Sequence, residues 1–125
     1  MSGPAWIAFA VAAAIGAPAR YLVEGLVQER TGDGFPWGTV VVNISGCFVL
    51  GVLTGLGLYH DLSATPRLVL GTGGMGAYTT FSTFTFQTVS LVERGSGRAA
   101  IGNVLASILV GLAAAAAGLA LTAAL

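Results

Sequence analysis

The sequence predicts an all-α membrane protein, a single domain of four transmembrane helices with a broken third helix. Three observations carry that prediction. The 125 residues are 55% hydrophobic and only 8% charged, against roughly 25% charged in soluble domains, and the mean hydropathy is +0.87. The few charges gather in short linkers between four long apolar runs. In the middle of the third run, four glycines fall within GTGGMG at 71–76.

The first run, Ala5 to Val27, contains only Arg20 and Glu24, both near its end. The second, Gly38 to Tyr59, has no charge, nor do the third, Leu68 to Val92, and the fourth, Ala99 to Leu125. Each exceeds the roughly 20 residues a helix needs to cross about 30 Å of hydrocarbon. The expected spans are therefore about 5–27, 38–59, 68–92 and 99–125, within one domain covering 1–125. Turn formers mark the linkers: Gly32, Gly34 and Pro36, then Pro66, then Gly95 and Gly97. Ala17-Pro18-Ala19 has the small-residue look of a signal-peptide cleavage site, but no Lys or Arg precedes the apolar stretch, so it is read as part of the first span. Cys47, the only cysteine, lies mid-span, can make no internal disulfide, and reads as a small packing residue.

The glycine cluster admits three readings: a phosphate-binding loop, a break in the helix, or small residues that only permit close helix packing. GTGGMG matches a dinucleotide-binding pattern, with Glu93 twenty positions after Gly73. That reading fails on context, because no strand precedes the cluster and no amphipathic helix follows it. Inside a span each glycine costs about 1 kcal/mol relative to alanine and permits backbone angles that helices exclude. The sequence therefore predicts that the third helix breaks at the cluster. Irregular backbone at membrane depth survives only where protein or a wet cavity satisfies it, and in transporters such breaks face ions. Close helix packing accounts for other small residues, Cys47, Gly51 and Gly55 on the second span and Gly102, Ala106, Ser107 and Gly111 on the fourth. Four spans enclose little on their own, so a dimer is expected.

The polar residues that lipid would not choose come next. In TTFSTFT at 79–85, Phe81 and Phe84 lie three apart, on one side of a helical turn, among the hydroxyls of Ser82 and Thr83. An aromatic edge is positive and can meet an anion. Asn43 stands alone in an apolar span, where a buried amide needs partners; it serves either to join helices or to offer an N–H donor. Arg20 is a residue snorkelling to the interface, a positive charge in a vestibule, or both. No span carries a central Asp, Glu or His able to couple transport to protons, which favours passive conduction. No Ser-His-acid, metal-ligand or cofactor constellation marks an enzyme, His60 is a lone loop residue, and no nucleic-acid partner is expected. One rival class is a coupled exporter similar to small multidrug transporters, which rely on a carboxylate in the first span; Glu24 is the only candidate. The other is a non-conducting assembly subunit whose glycines serve packing alone.

Three segments carry a resemblance: GAPARY at 16–21, GTVVVNISG at 38–46 and GGMGAYTTFSTF at 73–84. In order and along essentially the whole chain, they resemble the signatures of the Fluc (CrcB) fluoride channels. The resemblance implies an antiparallel, dual-topology dimer in the cytoplasmic (inner) membrane that lets fluoride leave passively through two narrow pathways. It implies a structural sodium ion (Na+) at the dimer centre, held by backbone carbonyls of Gly76 and Thr79 from both subunits. It further implies that Phe81 and Phe84 line the pathways by their ring edges, that Asn43 contributes a donor, that Ser82 and Thr83 offer hydroxyls, and that Arg20 sits near the aqueous entrance. On the last helix the pattern is looser: Ser107 fits a polar track, Asn103 replaces a frequent tyrosine, and Gly111 supplies no hydroxyl. The chemistry agrees, since a small, strongly hydrated anion needs hydroxyls, an amide and aromatic edges in place of water.

The arginines bear on the partner. Arg30, Arg94 and Arg98, with Arg20 if it belongs to that end, lie on one side of a four-span arrangement and Arg67 on the other. Such a bias favours one orientation. An antiparallel homodimer needs both, so a heterodimer with an oppositely oriented paralogue stands beside the homodimer as an expectation.

Overall fold

A computed structural model describes residues 1–125, which are helical over 85% of the chain and contain no strand. Helix α1 spans Gly3–Thr31, with a proline in its first turn, where the missing N–H costs no bond. It ends at Gly32, whose φ of 80° lets the chain turn away while its amide still bonds the Gln28 carbonyl. Helix α2 spans Trp37–Tyr59. Helix α3 starts at Ala64–Arg67, widens into π-type turns over Leu68–Met75 and closes with Gly76–Tyr78. After three non-helical residues, α4 runs over Ser82–Glu93. The last helix, α5, spans Gly97–Ala123 and includes a second π-type stretch at Ala106–Val110. Three helices, α1, α2 and α5, are long and apolar enough to cross a membrane. The third apolar run is divided between α3 and α4.

The position of that division corrects the sequence reading. Gly71, Gly73 and Gly74 stay helical and buried; the helix ends at Tyr78, and Thr79, with ψ at 163°, turns the chain into extended backbone. The glycines serve close approach instead. A Cβ at Gly73 would lie 3.0 Å from the Phe9 carbonyl oxygen, and one at Gly16 would strike the Gly74 carbonyl and sit 3.2 Å from the Tyr78 amide. Small residues thus bring α1 against α3 backbone to backbone, the packing that lipid-embedded helices rely on.

The closest packing in the fold joins α2 to α5. Gly51 faces the Ala115 carbonyl, Gly55 faces the Thr122 hydroxyl, and Gly118 faces the backbone of Phe48 and Val52. On α5 this face runs through Gly111, Ala115, Gly118 and Thr122, mostly further along the helix than the Gly102–Gly111 group singled out from spacing. His60 does not stand alone, since its Nε2 pairs with the Thr122 carbonyl at 2.8 Å and ties the end of α2 to α5. A Cβ at Gly118 would stand 2.8 Å from the Val52 amide nitrogen. Gly118→Leu should therefore lower stability by about 3 kcal/mol, the upper range for overpacking, read as a lower thermal midpoint in detergent.

Candidate functional site at the helix break

Ending α3 in mid-chain leaves peptide groups without helical partners, and one side chain takes up two of them. Asn43 on α2 donates from Nδ2 to the Thr80 carbonyl at 2.8 Å and accepts the Thr80 amide on Oδ1 at 2.8 Å. The amide thereby clamps one residue as a neighbouring strand would. Of the two roles open to Asn43 from sequence, the structure shows the joining one. Thr80, itself buried, caps the next helix: its Oγ1 accepts the Thr83 amide at 3.2 Å and donates to Thr83 Oγ1 at 3.1 Å. The exposed Ser82 hydroxyl lies 3.4 Å from the same oxygen.

On the other side of the break, the α3 carbonyls turn towards the gap. Met75 accepts both the amide and the hydroxyl of Thr79, each at 2.9 Å. The Thr80 amide, which would reach Gly76 in a continuous helix, goes to Asn43, and no backbone amide reaches the Gly76 carbonyl. Gly76 is exposed. The Thr79 carbonyl takes a bond from Arg20 Nη1 at 2.9 Å. Arg20 thus sits at the break, half-buried. Tyr78 is fixed from α2: Ser45 Oγ donates to the Val42 carbonyl and lies 3.0 Å from the Tyr78 hydroxyl, which is left as the donor in that pair.

Beside the break lies a cavity of about 290 Å³. Its lining brings together Asn43, Thr79, Phe81, Phe84 and Ser107, five of the residues singled out from sequence, and adds Thr80 and Cys47. The Phe81 and Phe84 ring centroids are 5.7 Å apart with planes tilted by 44°. Ser107 presents a buried hydroxyl that has no partner. No carboxylate lines this cavity. Ser82 and Thr83 flank it in the capping cluster, whereas Gly76 and Arg20 are not part of its wall. Phe81 is 77% exposed, so a single chain leaves the site open on one side.

The two helix ends give the break opposite polarities. The terminal carbonyls of α3 are partial negative charges that suit a cation; the first amides of α4 are partial positive charges that suit an anion. The anion side is the one that the Phe81 and Phe84 rings share.

A second polar link lies behind Phe84. Asn103, 1% exposed, donates from Nδ2 to Thr88 Oγ1 at 2.9 Å, and Thr88 Oγ1 donates to the Phe84 carbonyl at 2.8 Å. Sequence reading treated Asn103 only as a departure from a pattern and passed over Thr88. The signal was the spacing of four between Phe84 and Thr88. Two further cavities, of about 410 and 390 Å³, open near the first linker and carry Glu24, Glu29 and Asp33. Their carboxylates disfavour an anion there, although Arg94 also lines the second. Glu24 accepts the Thr39 hydroxyl at 3.0 Å and is committed to the contact between α1 and α2.

The chain resembles known proteins along most of its length. The pattern of the family described as CrcB-like protein, Camphor Resistance (CrcB), matches residues 7–119. A Streptomyces avermitilis protein named Fluoride-specific ion channel FluC 1 is 46% identical over 113 residues, 90% of this chain and 91% of its own. A Solidesulfovibrio magneticus protein named Fluoride-specific ion channel FluC is 48% identical over 113 residues, again 90% of both chains. A Bradyrhizobium diazoefficiens protein named Fluoride-specific ion channel FluC 2 is 39% identical over 115 residues, 90% of this chain and 84% of its own.

Proposed function

This chain belongs to the CrcB family, and from that premise we propose that it is a fluoride-specific ion channel that lets fluoride leave the cytoplasm passively across the inner membrane. The observation that carries the reading is the cavity at the break, where two phenylalanine rings, the first turn of α4 and an unpaired serine hydroxyl meet without a carboxylate. Fluoride gives up water only to donors and positive edges, and these groups are of that kind. The coupled exporter has no comparable support, because Glu24 is held by Thr39 and lies outside this cavity.

The working unit of this reading is an antiparallel dimer of dual topology, in which a second copy covers the open side of Phe81 and completes the pathway. Sodium at the dimer centre is part of the same proposal. The Gly76 carbonyl fits a hard cation, being exposed and free of any amide, and the Thr79 carbonyl has a second lone pair beyond the one Arg20 uses. Bound there, the ion would add a positive field; the chain's own part is to hold the two carbonyls at the end of α3. The arginine bias between the two membrane faces favours a second form of the unit, a heterodimer with an oppositely oriented paralogue.

Efflux from liposomes holding only this purified chain, followed with a fluoride electrode beside a chloride control, tests the function. Rapid fluoride-selective release is expected. Silence from folded protein, reversed by an oppositely oriented partner chain, would select the heterodimer; silence with the partner as well would leave a non-conducting subunit.

Ser107 offers a sharper prediction. A buried hydroxyl without a partner costs about 1–3 kcal/mol, so Ser107→Ala should raise the thermal midpoint while slowing fluoride efflux. An efflux rate that is not slowed would take Ser107 out of the pathway.

A further inference from the structure

We infer that Arg20 is the built-in cation of the helix break, a positioning residue whose charge competes electrostatically with a monovalent ion at the Thr79 carbonyl. The inference rests on the proposed reading of Gly76 and Thr79 as cation ligands, and it adds to that reading a residue that sets how strongly the ion binds.

The Arg20 side chain makes one hydrogen bond in the structure, donating from Nη1 to the Thr79 backbone carbonyl at 2.9 Å. That oxygen follows the last turn of α3, whose terminal carbonyls concentrate partial negative charge. A guanidinium cannot shed its charge, so each chain carries a permanent positive group at this point. Its placement is built into the packing. Gly16, one turn before Arg20 on α1, lets the α1 backbone touch the Gly74 carbonyl and approach the Tyr78 amide, which brings the start of the Arg20 side chain beside the break.

A metal ion on the Thr79 oxygen would share it with the guanidinium. Two positive charges about 5 Å apart, at an effective dielectric near 20, repel enough to weaken ion binding by up to a few hundredfold. Arg20 therefore does two things. It satisfies the break when no ion is present, and it keeps the ion site weaker than its carbonyls alone would make it.

The test uses purified wild type, Arg20→Gln and Arg20→Lys in detergent, with sodium exchanged for choline at constant ionic strength and the thermal unfolding midpoint as readout. Arg20→Gln should unfold at a lower temperature than wild type in choline and recover on sodium addition, with a half-effect concentration roughly tenfold or more below that of wild type. Arg20→Lys, which keeps the charge on a compact head that grips the carbonyl less well, should fall between the two. Should the glutamine variant not fold in either salt, the lysine variant alone decides. Sodium responses equal to wild type in the variants that fold would overturn the inference and leave the cation reading standing. No response to sodium in any form, wild type included, would remove the cation reading itself, and the competition with it.

Discussion

Alanine in place of Asn43 will reduce fluoride efflux to the leak of empty liposomes and lower the thermal midpoint more than any other single truncation in the site. Both 2.8 Å bonds to Thr80 end on one peptide unit pair at membrane depth, where no lipid group can replace them. Each buried peptide group left without a partner costs about 1–3 kcal/mol, so the pair represents about 2–6 kcal/mol. The loss spreads further, because Thr80 in turn caps α4 through the Thr83 amide and helps to set where the first turn of that helix points. Asn43→Asp separates the two roles: it keeps an acceptor for the Thr80 amide, loses the donor and adds a negative charge beside the pathway. Its efflux should be lost even where its fold is partly retained. Wild-type efflux from Asn43→Ala would mean that the break is held by something other than this clamp.

The second large effect belongs to the rings. Phe84→Ile should slow fluoride efflux by roughly two- to tenfold, since an aromatic edge contributes about 0.5–1.5 kcal/mol and each 1.4 kcal/mol is a factor of ten in rate. Phe81→Ile should do the same. Their stability effects should differ: Phe81 is 77% exposed in one chain, whereas Phe84 is half-buried with its carbonyl bonded through Thr88 to Asn103. Size-exclusion profiles should show the same assembly for both variants. An unchanged rate for either ring would remove the edge contact at that position.

The four apolar runs and most of the site residues were legible in the sequence because hydropathy and spacing report them directly. Asn43, Phe81, Phe84 and Ser107 were each conspicuous against an apolar background, and all four line one cavity. The location of the break was not legible. A local reading gives glycine the freedom to leave the helix, but here the glycines are used for contact with α1, and widened turns over Leu68–Met75 accommodate them. The break falls where a side chain 37 residues away competes for the Thr80 peptide, a tertiary event that local propensity does not record. The Arg20 contact was not legible for a similar reason: its partner lies 59 residues away in sequence. Asn103 looked like a missing tyrosine until its burial and its link to Thr88 were seen.

The Asn43 clamp also bears on how the chain enters the bilayer. Neither α3 nor α4 reaches the roughly 20 residues needed to cross alone, and the Thr80 peptide groups between them are satisfied by a residue of the preceding helix. The third segment therefore cannot partition into lipid as an independent unit. Its peptide groups find partners only once it packs against its neighbours, so the earlier spans serve as a template on which the third segment settles in the bilayer.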